Sequence, residues 1–344
     1  MVNSQVPVCV LITGGAGYIG SHSAKALHRA GFCPVVVDDL RTGHRSAVRW
    51  GPLIETDLAD KAALSRVFET YPIAAVIHFA GSAYVGESMD APRVYFQNNV
   101  GGTLSLLDTM LDHGVVKIVF SSSCATYGRP KAIPITEEHP QQPVNPYGES
   151  KLMVEKILSW YAHAYGLRYT ILRYFNAAGA DPDGELGEMH DPEPHLIPRV
   201  IAAALGSLPT VDVYGTDYDT VDGTAVRDYI HVTDLAEAHV AAMRYLESDG
   251  ASAAFNLGTG TGHSVRQVIS AIENVSGRKV PYKDLPRRAG DPAELVADAH
   301  EAVQCLGWRP CYSDLHSIVR TAWTWHSSIR DTDQRLHRVA KADA

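Results

Sequence analysis

Cysteine is scarce in this chain. Five are present, Cys9, Cys33, Cys124, Cys305 and Cys311, and none stands in Cys-x-x-Cys spacing. That speaks against a disulfide framework or a zinc site and suits reduced thiols in a cytoplasm. A basic excess is also missing: 30 Lys and Arg stand against 39 Asp and Glu, a net charge of −9. Non-specific nucleic-acid binding needs basic patches against phosphates, so this balance argues against it. A few local arginines can still hold an anionic ligand. No uninterrupted apolar run approaches a membrane span, and Met1 to Pro7 shows no signal peptide. The expectation is a cytoplasmic protein without a membrane or nucleic-acid partner. With 344 residues, 45% of them hydrophobic and 20% charged, the chain has material for one large domain or two moderate ones.

The first half alternates short apolar runs with amphipathic stretches. Val8 to Ile12, Pro34 to Val37, Ala74 to Phe79, Lys117 to Phe120 and Tyr169 to Leu172 read as buried strands. Helices are expected around Ser21 to Arg29, Ala62 to Glu69, Val94 to Leu111 and Lys151 to Ala164. This order predicts a doubly wound parallel sheet of the dinucleotide-binding type, α/β in class. It assigns 1–176 to that domain, completed by parts of 225–258. Residues 177–330 form a smaller, interleaved lobe for the substrate, with a loop over Asp181 to Pro194, helices near Leu196 to Leu205, Thr233 to Tyr245 and Ser264 to Val275, and a short strand at Ala254 to Leu257. Residues 331–344, charged and without apolar periodicity, read as a tail.

Gly14-Gly15-Ala16-Gly17-Tyr18-Ile19-Gly20 follows the first strand and opens the first helix, where glycines let the backbone approach a pyrophosphate at a helix N-terminus. Asp38 ends the next strand about 20 residues on, placed for a ribose 2′-hydroxyl. Asp38 and Asp39 would repel a 2′-phosphate, so NAD is favoured over NADP. Asp57, closing the third apolar run, suits the adenine. Phe79-Ala80-Gly81 closes the fourth strand, with small residues for close cofactor approach, and Asn98 sits early in a helix. Ser121-Ser122-Ser123 ends the fifth strand at the same carboxyl edge.

Tyr147 and Lys151 stand four apart on an expected helix, on one face. A cation beside a phenol favours the phenolate, and bringing its pKa from about 10 to about 7 takes roughly 4 kcal/mol. Ser123, Tyr147 and Lys151 therefore form a candidate set for proton transfer coupled to hydride transfer, with Lys151 also bonding the cofactor ribose.

Thr13 to Gly20, His78 to Gly81, Ser121 to Ser123, Tyr147 to Glu155 and Leu172 to Asn176 resemble the extended short-chain dehydrogenase/reductase family. Val85 to Ser88, Asp222 to Thr224, Arg227 to Val232 and Asn256 to Gly258 are similar to its UDP-glucose 4-epimerases, and the likeness runs from about Val8 to Trp325. The resemblance implies a tightly held NAD that takes the hydride from C4 of the sugar of UDP-glucose or UDP-galactose and returns it to the other face of a 4-keto sugar. Tyr147 would serve as acid and base on the C4 oxygen. It adds Leu58, Ser121 and Tyr174 to the cofactor set, assigns the nucleotide to Asn176, His195, Leu196, Tyr214, Arg227, Arg288 and Asp291, and implies a homodimer through the helices of Val94 to Leu111 and Lys151 to Ala164. Guanidinium forks at Arg227 and Arg288 suit a diphosphate.

Some positions depart from that pattern. Ala83 stands where the epimerases often carry Lys, and His195 where Asn is common. Leu295 occupies a position often Tyr in sugar-restricted members and smaller in those taking N-acetylated sugars, so UDP-N-acetylglucosamine and UDP-xylose/UDP-arabinose epimerisation stay open. Glu188 to His195 could suggest a metal, but two prolines and loop spacing speak against preorganised ligation and the family needs none, so none is expected. A 4,6-dehydratase would need an Asp-Glu pair where Cys124-Ala125 stand. A net dehydrogenase would release reduced cofactor. A non-catalytic NAD-sensing regulator on this fold would be expected to lose Tyr147 or Lys151.

Overall fold

The computed structural model describes residues 7–288 and 290–342, with side chains through 330. Its centre is a seven-stranded sheet in the order β10-β6-β5-β4-β1-β2-β3, every neighbouring pair parallel. The strands are β1 (Cys9–Thr13), β2 (Cys33–Asp38), β3 (Leu53–Glu55), β4 (Ile73–His78), β5 (Lys117–Ser123), β6 (Arg168–Tyr174) and, from far along the chain, β10 (Ala253–Leu257). The order 3-2-1-4-5-6 is that of the dinucleotide-binding fold. It reverses between β1 and β4, which opens a crevice at their carboxyl ends.

Because the strands are covered on both faces, they read as continuous apolar runs. One face packs on α1 (Tyr18–Arg29) and α8 (Val232–Glu247), burying Val10, Ile12, Leu27, Leu235 and Met243. The other packs on α2 (Lys61–Thr70), α5 (Gly102–Asp112) and α6 (Pro146–Tyr165), burying Leu11, Leu64, Leu107, Ile118 and Leu158. Before α5 come two short helices, α3 (Val85–Asp90) and α4 (Pro92–Tyr95), and a π-helical turn over Phe96–Gly101. The single helix expected over Val94 to Leu111 is therefore interrupted.

The second half builds the lobe. Strand β9 (Val226–His231) pairs with β7 (Asn176–Ala178), β11 (Gly262–Ser264) and β13 (Glu294–Leu295), and β8 (Val211–Tyr214) pairs with β12 (Tyr282–Leu285). Helices α7 (Leu196–Leu205), α9 (Val265–Ser276) and α11 (Leu315–Ala342) enclose a separate core of Ile201, Val213, Ile269 and Ile318, while α10 (His300–Leu306) packs against α8 and β10. Since α11 runs to Ala342, the expected tail over 331–344 is helical as far as 342. Among the described residues, no helix is long and apolar enough to cross a membrane.

Candidate active site

The glycine turn lies in the crevice between β1 and β4. Gly14 has φ 72°, and a Cβ there would sit 2.6 Å from the Ala80 nitrogen. A Cβ on Gly20 would sit 2.2 Å from the Gly14 carbonyl oxygen. These positions admit no side chain, and the turn stays thin enough for a dinucleotide to lie against the backbone. Gly17 and then Tyr18 and Ile19 open α1, and the Tyr18 hydroxyl donates to the Gly179 carbonyl at 2.7 Å, tying the turn to the lobe. Asp38 is buried at the end of β2; its carboxylate accepts from the Ala16 and Leu40 amides at 2.9 and 2.8 Å, and burial raises its pKa. Asp39 pairs with Arg41 at 2.6 Å. Asp57 is exposed just past β3, with buried Leu58 beside it. Phe79 and Ala80 both donate their amides to the Thr13 carbonyl, which sets Gly81 next to the turn.

The π turn aims two asparagines at this edge. Asn98 donates to the Ser82 hydroxyl at 3.1 Å and accepts from Arg41 at 3.0 Å. Asn99, buried, holds the Ser82 amide and carbonyl and the Ser150 hydroxyl. Asn98 is the residue expected at the cofactor, and Asn99, which the sequence does not single out, is the buried one of the two. Two adjacent asparagines are indistinguishable until the extra residue in the turn fixes their directions, and such π insertions recur at functional sites.

Helix α6 delivers the phenol and the ammonium. Asn145 caps it by accepting from the Gly148 amide at 2.8 Å, and Pro146 fills the first position. Gly148 touches the loop after β5: a Cβ there would lie 2.5 Å from the Ala125 carbonyl oxygen. This close approach sets Tyr147 against Ser123, whose hydroxyl favours the ionised form of the phenol. Lys151 is 5% exposed; its Nζ donates to the Ser121 carbonyl at 2.8 Å and lies 5.9 Å from the centre of the Tyr147 ring. The Ser121 hydroxyl is hydrogen-bonded to that of Tyr174. The three candidate catalytic residues thus converge at the carboxyl edge of β5.

The electrostatics differ from the expectation. Burial pushes Tyr147 up to about 12, and the Ser123 hydrogen bond only partly offsets it. Lys151 is itself pulled down to about 8 by burial, against the charge of Glu155. The ammonium points at the Ser121 carbonyl rather than the phenol, and the expected depression of Tyr147 is not found. Desolvation wins over a charge one helical turn away.

The nucleotide candidates gather on the lobe sheet. Arg227 on β9 pairs with Asp291 at 2.6 Å and lies in register with Leu295 on β13. Arg288 stacks on Tyr214, its guanidinium carbon 3.9 Å from the ring centre, and its carbonyl accepts from the Asp291 amide. Asn176 begins β7, in register with Tyr229 on β9. The Arg227 charge reaches Cys124, next to Ser123, and Leu295 and Cys124 pack on one cluster with Tyr127 and Phe175. His195 caps α7 and Leu196 is its first residue, packed on the core that holds Tyr229.

The loop over Glu188 to His195 is better organised than its prolines imply. Glu188 is buried and accepts from His190 at 2.9 Å and His195 at 2.5 Å, and ligand atoms of Glu188, His190, Glu193 and His195 converge within 4.8 Å. The spacing argument against preorganisation therefore fails. The separations are those of hydrogen bonds, and the cluster is an ion-paired hub. Burial would lower His195, but Glu188 and Glu193 outweigh it and raise it to about 10.

Comparison with known proteins agrees with this geometry. Residues 10–258 match the model of the NAD dependent epimerase/dehydratase family. A UDP-glucose 4-epimerase of Halalkalibacterium halodurans is 50% identical over 319 residues, 93% of this chain and 96% of that protein. The crystal structure of UDP-glucose 4-epimerase from Brucella ovis in complex with NAD superposes with a TM-score of 0.91 at 56% identity, covering 92% of this chain and 98% of that one. UDP-glucose-4-epimerase from Stenotrophomonas maltophila, with bound NAD and formylated UDP-arabinopyranose, gives 0.91 at 40% identity over 94% and 99%. The chain belongs to the NAD dependent epimerase/dehydratase family, and the members it is similar to are UDP-glucose 4-epimerases.

Proposed function

We propose that this chain is an NAD-dependent isomerase that interconverts UDP-glucose and UDP-galactose at C4, and serves galactose metabolism in the cytoplasm. The observation that carries the reading is the convergence of Ser123, Tyr147 and Lys151 beside the glycine turn, in a chain half identical to such an epimerase. NAD fits the residues present: Gly14 and Gly20 leave a cradle that a Cβ would fill, and Asp38 offers a carboxylate for an unphosphorylated ribose. When bound, NAD would supply a reversible hydride acceptor for C4.

The chain's own part is proton handling and anchoring. Tyr147 takes the proton of the 4-hydroxyl and returns it after the keto sugar turns over. Ser123, beside Tyr147, shares the sugar oxygen. Lys151 remains a cation below about pH 8, and that charge favours the phenolate as Tyr147 gives up its own proton. Gly17, Tyr18, Ile19, Asp39, Asp57, Leu58, Phe79, Ala80, Gly81, Asn98, Ser121 and Tyr174 complete the cofactor site. Arg227, Arg288, Asp291, Tyr214, Asn176, His195 and Leu196 hold the nucleotide, and Leu295 bounds the sugar. A firm nucleotide grip with few sugar contacts is what turnover requires. Leu295, intermediate in size, leaves open a second reading in which UDP-N-acetylglucosamine or a UDP-pentose is the substrate.

A homodimer is part of the proposal. Val94, Phe96 and Leu104 are exposed on the α4–α5 segment, and Met153 and Trp160 on the adjoining α6, with Trp160 71% exposed. An apolar face across two packed helical segments suits a second copy of the same face. The test of the function is a product assay with UDP-glucose, UDP-N-acetylglucosamine and UDP-xylose without added NAD. UDP-galactose from UDP-glucose supports the proposal, and no epimerised product from any of the three refutes it.

A further inference from the structure

Glu155 lies one turn beyond Lys151 on α6, and its side chain is 5% exposed. Oε1 accepts from the Ser122 hydroxyl at 2.6 Å and from Arg173 Nε at 3.0 Å. Oε2 accepts from Arg173 Nη2 at 2.7 Å and from Gln141 Nε2 at 2.8 Å. Arg173, on β6, also donates to the Tyr127 hydroxyl at 2.9 Å. A buried carboxylate persists only when paired and hydrogen-bonded this fully. The partners matter because of where they stand. Ser122 lies between Ser121, whose carbonyl takes Lys151 Nζ, and Ser123, whose hydroxyl meets Tyr147.

We propose that Glu155 is a positioning residue for the proton-transfer site. Its carboxylate ties α6 to β5 and β6 in the register that sets Tyr147 and Lys151 against Ser123 and Ser121, and its charge supports the ammonium form of the buried Lys151. The proposal rests on reading Tyr147 and Lys151 as that site. The groups facing Lys151 are Tyr147 and Glu155 on α6, the Phe120 ring and Ser121 on β5, and His78 on β4; Arg173 on β6 and Tyr174 stand behind Glu155 and Ser121. His78 is buried and held neutral, with its pKa lowered to about 3, so it gives Lys151 no support. Burial lowers Lys151 and Glu155 opposes it. Removing the Glu155 charge while Arg173 stays lowers Lys151 further.

The test compares the wild-type chain with Glu155→Gln, Glu155→Asp and Ser122→Ala. Lys151 titration, followed by NMR of the labelled lysine side chain, reads the charge without depending on catalysis. Glu155→Gln lowers the Lys151 midpoint by about one pH unit, while Ser122→Ala leaves it in place. With UDP-glucose, Glu155→Gln moves the alkaline limb of kcat down by the same interval and costs about fivefold at pH 8, with KM changed less than about twofold. Glu155→Asp restores part of both. Ser122→Ala, which cuts the tie but keeps the charge, lowers kcat at every pH. An unmoved Lys151 midpoint in Glu155→Gln, or a uniform loss of kcat with the wild-type profile, overturns the charge role. Wild-type kcat in Ser122→Ala overturns the register role. Should Glu155→Gln not fold, Arg173→Met decides: it removes the cation that offsets Glu155, so the Lys151 midpoint rises, and an unmoved midpoint contradicts the charge role. Wild-type protein without epimerase activity on any UDP-sugar refutes the proposed function instead and leaves the NMR result standing.

Discussion

Gly20→Ala is the sharpest perturbation of the cofactor turn. The added Cβ would lie 2.2 Å from the Gly14 carbonyl oxygen and 2.8 Å from the Gly15 Cα, both backbone atoms that cannot swing aside. Ordinary contact needs the turn to retreat by roughly 1 Å, and such overpacking costs about 1–3 kcal/mol. At roughly 2 °C per kcal/mol for a chain of this size, Tm falls by about 2–6 °C. The larger effect falls on the cofactor. Losing one hydrogen bond to a charged phosphate costs about 1.5–3 kcal/mol, roughly a 10- to 100-fold loss of affinity. The assay is the NAD content of purified protein beside a thermal melt. Gly114→Ala is the comparison: its φ of 71° strains a side chain, but no heavy atom lies within 4 Å, so it lowers Tm and leaves NAD content unchanged. Gly20→Ala protein with wild-type NAD content would refute the reasoning.

Other predictions follow from the same geometry. Tyr147→Phe keeps the fold and NAD content but lowers kcat by about 100- to 10,000-fold, the usual scale for a general acid/base, as a coupled turnover assay would read. Arg227→Met removes one fork and frees Asp291, raising KM for the UDP-sugar about tenfold or more with a smaller change in kcat. His78 is buried between Thr13 and Thr103, with its pKa depressed from 6.5 to about 3. Its contribution is complete above about pH 6.5 and is lost as pH falls from there through about 3. The loss is on the order of 5 kcal/mol, so His78→Gln should flatten the acid limb of a denaturation series. Trp160→Glu places a charge on the exposed apolar face of α6, and if the proposed homodimer uses that face the variant sediments as a monomer beside a dimeric wild type.

How much of this could be read without coordinates depended on the kind of residue. Strands β1, β2, β4, β5 and β6 are buried on both faces, so they stand out as unbroken apolar runs, and the glycine turn between strand and helix fixed the first crossover. The break at Phe96 to Gly101 left no trace, because a π turn is selected by tertiary contacts, which here bury both Tyr95 and Asn99. Strands β7, β9 and β13 were missed although they carry Asn176, Arg227 and Leu295. They are short and partly polar, and β9 gains its edges only from partners at least 30 residues away. The Glu155–Arg173 pair joins a helix to a strand 18 positions on, beyond the reach of any periodicity. The Tyr147–Lys151 spacing was legible, but its consequence for acidity was not, since burial depends on the whole crevice.

The central claim is that Tyr147 and a bound NAD carry out C4 epimerisation without net redox chemistry. It is tested most directly by incubating the purified chain with UDP-glucose in the absence of added NAD while following UDP-galactose and nicotinamide absorbance together. The account predicts UDP-galactose formed over many turnovers with almost no reduced cofactor released. Turnover that needs added NAD and yields one reduced cofactor per sugar would contradict it.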